Sequence, residues 1–140
     1  MRNKAKNAAD RLFCSAVIVA GGSSTRMGTD KLLMELRGRP VIERTLTAFE
    51  RSAYVDEIVV VTRGEIIPTV ANIAREAGIR KLKSVVTGGA DRTASSWAGV
   101  QECSQHAGLI AIHDAARPLV TQEIIENAVR AAQQRGAAAP

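Results

Sequence analysis

The chain has 140 residues, a formal net charge of +5, 46% hydrophobic residues and 3% aromatic ones. That is one domain's length with enough apolar content for a core, which Val, Ile, Leu and Ala must fill. No run of roughly 18 apolar residues is present to span a membrane, and Cys14 and Cys103 have the spacing of neither a disulfide framework nor a metal site.

In chain order, residues 1–13 read as a basic, solvated and disordered leader: Arg2, Lys4, Lys6 and Arg11 stand against one acid, Asp10. It has no apolar stretch to serve as a secretory signal, so the cytoplasm is the expected compartment. No aromatic residue is interleaved among its cations, so nucleic acid is not an expected partner. From residue 14 on, short β-branched runs alternate with segments of helical period. Ala16–Ala20, Glu57–Thr62, Lys83–Thr87 and Leu109–His113 are predicted buried strands. A helix is predicted from Pro40, with Val41, Leu46 and Phe49 on one side. A second carries Ile66, Val70, Ile73 and Ala77 and ends at Gly78. Two more cover Ser95–Gln105 and Thr121–Arg135, the last with Ile124, Ile125, Ala128, Val129 and Ala132 inward. Strands alternating with helices predict an α/β domain over 14–140, a mostly parallel sheet covered on both faces.

The first strand runs into Ala20-Gly21-Gly22-Ser23-Ser24-Thr25-Arg26-Met27-Gly28-Thr29-Asp30-Lys31. Ala20, Gly21 and Gly22 let backbone approach a base or phosphate closely, and Ser23 with its neighbours can donate to phosphate oxygens. Arg26 suits a clamp on the β- and γ-phosphates, and Lys31 suits charge developing at the α-phosphate. Their bland alternatives are surface loop cations. The spacing is neither a Walker A loop nor a dinucleotide fingerprint. Asp114, at a strand end, is a natural Mg²⁺ ligand, or else a helix cap or a partner for Arg117. His113 should point to the opposite face and act structurally. Gly88, Gly89 and Ser95 read either as a nucleotide contact or as a turn followed by a helix N-cap. No Ser, Cys or His has a triad partner, so covalent catalysis is not indicated.

Three blocks together carry a resemblance: the Ala20–Lys31 loop with Leu36-Arg37-Gly38-Arg39-Pro40-Val41-Ile42, then Gly88-Gly89-Ala90-Asp91-Arg92-Thr93-Ala94-Ser95, then Ile112-His113-Asp114-Ala115-Ala116-Arg117-Pro118. In this order the chain resembles the 2-C-methyl-D-erythritol 4-phosphate cytidylyltransferase family. The resemblance implies a Rossmann-like fold of the nucleotide-diphospho-sugar transferase type, CTP and a sugar-alcohol phosphate as substrates, Mg²⁺ or another divalent cation, and a homodimer. It implies catalytic roles for Arg26 and Lys31, nucleotide binding by Ala20, Gly21, Gly22, Ser23, Gly88, Gly89, Arg92 and Ser95, and a metal on Asp114. Leu32 and Ala94 depart from the family's common residues. A Gly-Ala-Ala-x-Pro segment leads into further strands in that family, so Gly136–Pro140 suggests its nucleotide-binding portion. Ribitol 5-phosphate cytidylyl transfer, molybdenum cofactor guanylyl transfer and a non-catalytic nucleotide-binding domain stay open as alternatives.

Overall fold

The structure, a computed structural model, describes residues 11–20 and 31–139. Four strands form a parallel sheet: β1 (Cys14–Val19), β4 (Glu57–Thr62), β5 (Leu82–Thr87) and β6 (Leu109–Asp114), in the order β5-β4-β1-β6. The two central strands are buried along all six of their residues, as their unbroken apolar runs require, whereas β5 and β6 lie half-exposed at the edges. The predicted Glu57–Thr62 strand agrees to the residue. β1 begins two residues earlier than predicted and ends at Val19, and Asp114 is the last residue of β6 rather than the first beyond it.

Between β1 and β4 lies a two-residue hairpin, β2 (Glu35–Leu36) with β3 (Arg39–Pro40), and then helix α1 (Val41–Glu50). The hairpin has no hydrophobic alternation and was not among the predicted elements. Pro40 precedes α1 as its N-terminal cap residue, with ψ of 144°. The buried stripe is Ile42, Thr45, Leu46 and Phe49, so Ile42 takes the inward place predicted for Val41. Helix α2 (Ile67–Glu76), entered through a short 3₁₀ turn at Gly64–Ile66, buries Val70 and Ala74. Its end is a Schellman motif: Gly78, at φ +76°, donates to Arg75 O, and Ile79 donates to Ala74 O at 3.0 Å.

Helix α3 (Arg92–Glu102) sits one turn earlier than predicted, because Asp91 is the cap: its carboxylate accepts from Ala94 N at 2.8 Å. Helix α4 (Gln122–Arg135) is capped by Thr121 and ends at Gly136 with φ +93°. It buries Ile125 and Val129, while Ile124, predicted inward, is exposed. Helices α1, α2 and α4 pack with Ala16, Ile18, Ile58 and Val60 on one face. Helix α3 covers Val17, Val19 and Val61 on the other. The chain crosses back over the sheet between β5 and β6, and a right-handed crossover then places its helix on the opposite face.

Residues 11–13, predicted as leader, are packed on the domain. Arg11 forms a two-pronged pair with Asp56 at 2.9 and 2.8 Å, and Asp56 also accepts from Cys14 N. The ring of Phe13 meets His106 edge-on. The start of β1 is thereby fixed to the segment that opens β4.

Candidate functional site

In an open parallel sheet, ligands bind beyond the carboxyl ends of the strands, where the strand order reverses. Here that point lies at β1, whose neighbours are β4 and β6. Three backbone bonds tie the segments leaving these strands together. Ala20 N donates to Val61 O at 2.6 Å, Gly88 N to Thr62 O at 2.9 Å, and Ala115 N to Val19 O at 3.0 Å. Ala20, Gly88 and Asp114, one from each motif block, thus stand along one edge. Gly21, Gly22, Ser23 and Arg26 lie outside the described residues. Lys31, on the far side of that stretch, is solvent-exposed in a turn.

The Gly88–Ser95 block is closely built. Ser95 is 2% exposed on the buried side of α3, and its Oγ accepts from Gly89 N at 3.1 Å. It is therefore not a helix cap; it lies inside α3 and ties the loop to the helix. A Cβ on Gly88 would stand 2.6 Å from Ser95 Oγ, and one on Gly89 would stand 2.4 Å from Ala94 Cβ. Neither glycine has positive φ. They are glycines for space, and the turn-forming reading of this pair does not hold. Arg92 opens α3 and is exposed.

Asp114 pairs in register with Val19. Its Oδ1 accepts from Ala116 N at 2.9 Å, and its Oδ2 stands 3.9 Å from Arg117 Nε, a long contact between exposed groups. Asp114 is therefore not a helix cap, since a turn follows it and the next helix is capped by Thr121, while its pairing with Arg117 is present as a long contact. The same contacts leave acceptor capacity on a carboxylate whose side chain is 40% exposed. Mg²⁺ in phosphate sites is commonly held by one or two carboxylates plus substrate oxygens and water, so this carboxylate suits it. Among the described residues no group of three His, Cys, Asp or Glu is arranged to hold a metal. His113 packs its ring 5.0 Å from that of Phe49, and its Nε2 lies 3.0 Å from Arg117 O. It is built into the α1 face, as alternation predicts.

Sequence reading missed two supports. Thr45, on the buried stripe of α1, donates to Ala115 O at 2.8 Å and holds the turn that follows Asp114. A polar residue on an apolar helical stripe was the available signal. Gly99 lies one turn after Ser95 on the buried side of α3, where a Cβ would meet Val17 Cγ1 at 2.4 Å and Val61 Cγ2 at 2.8 Å. Its absence of side chain lets α3 press Ser95 against the glycine loop.

The protein-family model for 2-C-methyl-D-erythritol 4-phosphate cytidylyltransferase matches residues 14–140. A protein of that name from Lachnospira eligens is 44% identical over 113 residues, covering 79% of this chain and 49% of its own length. One from Clostridium botulinum (strain Langeland) is 39% identical over 127 residues, covering 89% and 56%. The solved 4-diphosphocytidyl-2C-methyl-D-erythritol synthase of Anaerococcus prevotii superposes with a TM-score of 0.78 at 28% identity, covering 91% of this chain and 53% of that one. The chain thus spans about half the length of the curated relatives it matches. On the match over residues 14–140 and these identities, the chain belongs to the 2-C-methyl-D-erythritol 4-phosphate cytidylyltransferase family.

Proposed function

We propose that the chain binds CTP at the carboxyl edge of its sheet and takes part in cytidylyl transfer to 2-C-methyl-D-erythritol 4-phosphate, with release of pyrophosphate. The observation that carries this reading is the convergence of Ala20, Gly88 and Asp114 on one strand edge through three backbone bonds. The acceptor's phosphate oxygen attacks the α-phosphorus in line; the new P–O bond forms as the bond to pyrophosphate breaks. No enzyme nucleophile is required. The protein's part is orientation and charge compensation, and orientation alone can supply about 7–11 kcal/mol of a barrier. Lys31 would offset charge developing at the α-phosphate and Arg26 would clamp the leaving phosphates. Asp114 would hold Mg²⁺, which would supply positive charge against that of the phosphates.

Base selection follows from which groups the Gly88–Ser95 block still has available. The N–H groups of Gly88 and Gly89 are already used internally. The two glycines are left with their carbonyl acceptors, and Ser95 with its O–H. The carbonyl acceptors suit the exocyclic amino group of cytosine, and the Ser95 O–H suits its ring nitrogen or carbonyl oxygen. A homodimer and a cytoplasmic location complete the reading: the family resemblance supports the first, and two free thiols, Cys14 and Cys103, support the second.

Calorimetric titration of the chain with CTP, UTP and GTP in the presence of Mg²⁺ tests the site, with CTP expected to bind tightest. Equal or tighter binding of UTP or GTP would refute the cytidylyl reading. A pyrophosphate-release assay with the methylerythritol phosphate tests the transfer itself.

A further inference from the structure

We infer that the groove between the β2–β3 hairpin, α1 and the Pro118–Gln122 segment docks a partner polypeptide through a segment that combines carboxylates with an aliphatic anchor. The groove has a volume of about 730 Å³, and its lining includes Arg37, Arg39, Arg44, Arg51, Leu36 and Leu119. Among the described residues, no acidic one lines it. Arg39 shares its charge with Glu43 at 3.7 Å, whereas Arg37 and Arg51 form no ion pair among the described residues.

The hairpin is shaped in a way that favours this use. Arg37 has φ +55° and Gly38 φ +83°, both in the left-handed region. Two-residue turns of this kind take Asn or Gly at the first position with least strain. An arginine there costs about 1 kcal/mol or more of backbone energy. Arg44 holds the turn in place, donating from Nε to Leu36 O at 2.7 Å and from Nη2 to Arg37 O at 3.1 Å. The strained residue is therefore also a fixed one, with its guanidinium at the groove.

Charge and apolar exposure together select the partner. Leu119 is 80% exposed, and Leu36, across the groove, is 39% exposed. Leucines beside Arg37 and Arg51, which have no ion pair among the described residues, complement a segment that alternates carboxylates with aliphatic side chains. A purely polyanionic ligand would leave Leu119 in water. A single-stranded nucleic acid would find no aromatic ring in the lining on which to stack.

The test is fluorescence anisotropy on the 140-residue chain with a fluorescein-labelled peptide of alternating Glu and Leu. An all-Glu peptide of equal length and a labelled oligothymidylate serve as comparisons. The Glu/Leu peptide is expected to bind more tightly than both, and more weakly as salt rises. The double variant Arg37→Glu/Arg51→Glu should lose about tenfold or more in affinity and Leu119→Asp about fivefold, with thermal midpoints unchanged. Failure of the Glu/Leu peptide to bind, or equal binding by both variants, would overturn the proposal. So would an all-Glu peptide or oligothymidylate that binds as tightly as the Glu/Leu peptide.

Discussion

Replacing Gly99 by alanine sets two effects of opposite sign against each other. In an ordinary helix interior the change gains about 1 kcal/mol, because alanine restricts the unfolded chain and glycine does not. At this position the new Cβ would stand 2.4 Å from Val17 Cγ1 and 2.8 Å from Val61 Cγ2. Carbon atoms pack at about 3.5–4.0 Å, so roughly 1 Å of clearance has to be created. Both valines are fully buried on the two central strands and have no room to withdraw. Helix α3 must therefore lift, at an overpacking cost of about 1–3 kcal/mol. The expected net result is a destabilisation above zero and up to about 2 kcal/mol, or a fall of up to roughly 8 °C in the thermal midpoint. Lifting α3 also draws Ser95 away from Gly89, so CTP affinity should fall in the same variant. Differential scanning calorimetry and nucleotide titration read both effects. A variant as stable as the parent or more so would show that α3 moves freely, and would refute the claim that its close approach is what sets Ser95.

Three further outcomes follow from the same geometry. Lys31→Ala should weaken CTP binding without shifting the thermal midpoint, since the side chain is exposed and supports no packing; an unfolded variant would sink its functional role. Burial alone would raise the Asp56 carboxylate, but the hydrogen bonds from Arg11 and Cys14 N and the Arg11 and Lys81 charges outweigh it and hold the group below its ordinary value. Its contribution to stability is thus complete above the ordinary carboxylate range and is lost as pH falls through the lower folded value. Urea midpoints should decline over that acid window, and Asp56→Asn should flatten the decline. Burial, with the Asp56 charge adding to it, pushes the Cys14 thiol up to about 11, so maleimide should label Cys14 in the urea-unfolded chain and not in the native one at neutral pH.

The parts of the fold that were legible in the sequence are those fixed by local patterning. The unbroken apolar runs of β1 and β4 and the 3.6 period of α2 and α4 each encode burial directly, and Gly78 ended α2 where a left-handed residue was needed. The errors fall where two local signals compete. Ser95 and Asp91 are both good cap residues; Asp91 won because Ser95 was needed inside the helix to meet Gly89. Ile124 carries the right spacing for the α4 stripe, yet the stripe is centred on Ile125 and Val129, with Ile124 at its exposed margin. The β2–β3 hairpin has two-residue strands, too short for any periodicity to mark.

The candidate site could be read from the sequence as a set of residue types, but its structural support could not. Residue types made Asp114 and Gly88–Ser95 candidates beside purely structural readings, and the family resemblance supplied the roles proposed for them. What they could not convey is how those groups are held, because the holders lie far away in sequence: Thr45 reaches Ala115, and Gly99 admits α3 to Val17 and Val61. The glycine pair shows why this matters for specificity. Read locally, Gly88-Gly89 is either a turn or a backbone contact to a nucleotide. In the fold both donors are taken, one by Thr62 O and the other by Ser95 Oγ, and both positions exclude a Cβ for lack of space. The same packing that requires glycine at both positions takes up their two N–H groups and leaves their carbonyls as the groups they can offer. Carbonyl acceptors suit a base that offers an amino group, so the steric argument for glycine and the argument for the proposed cytosine contact come from one set of contacts.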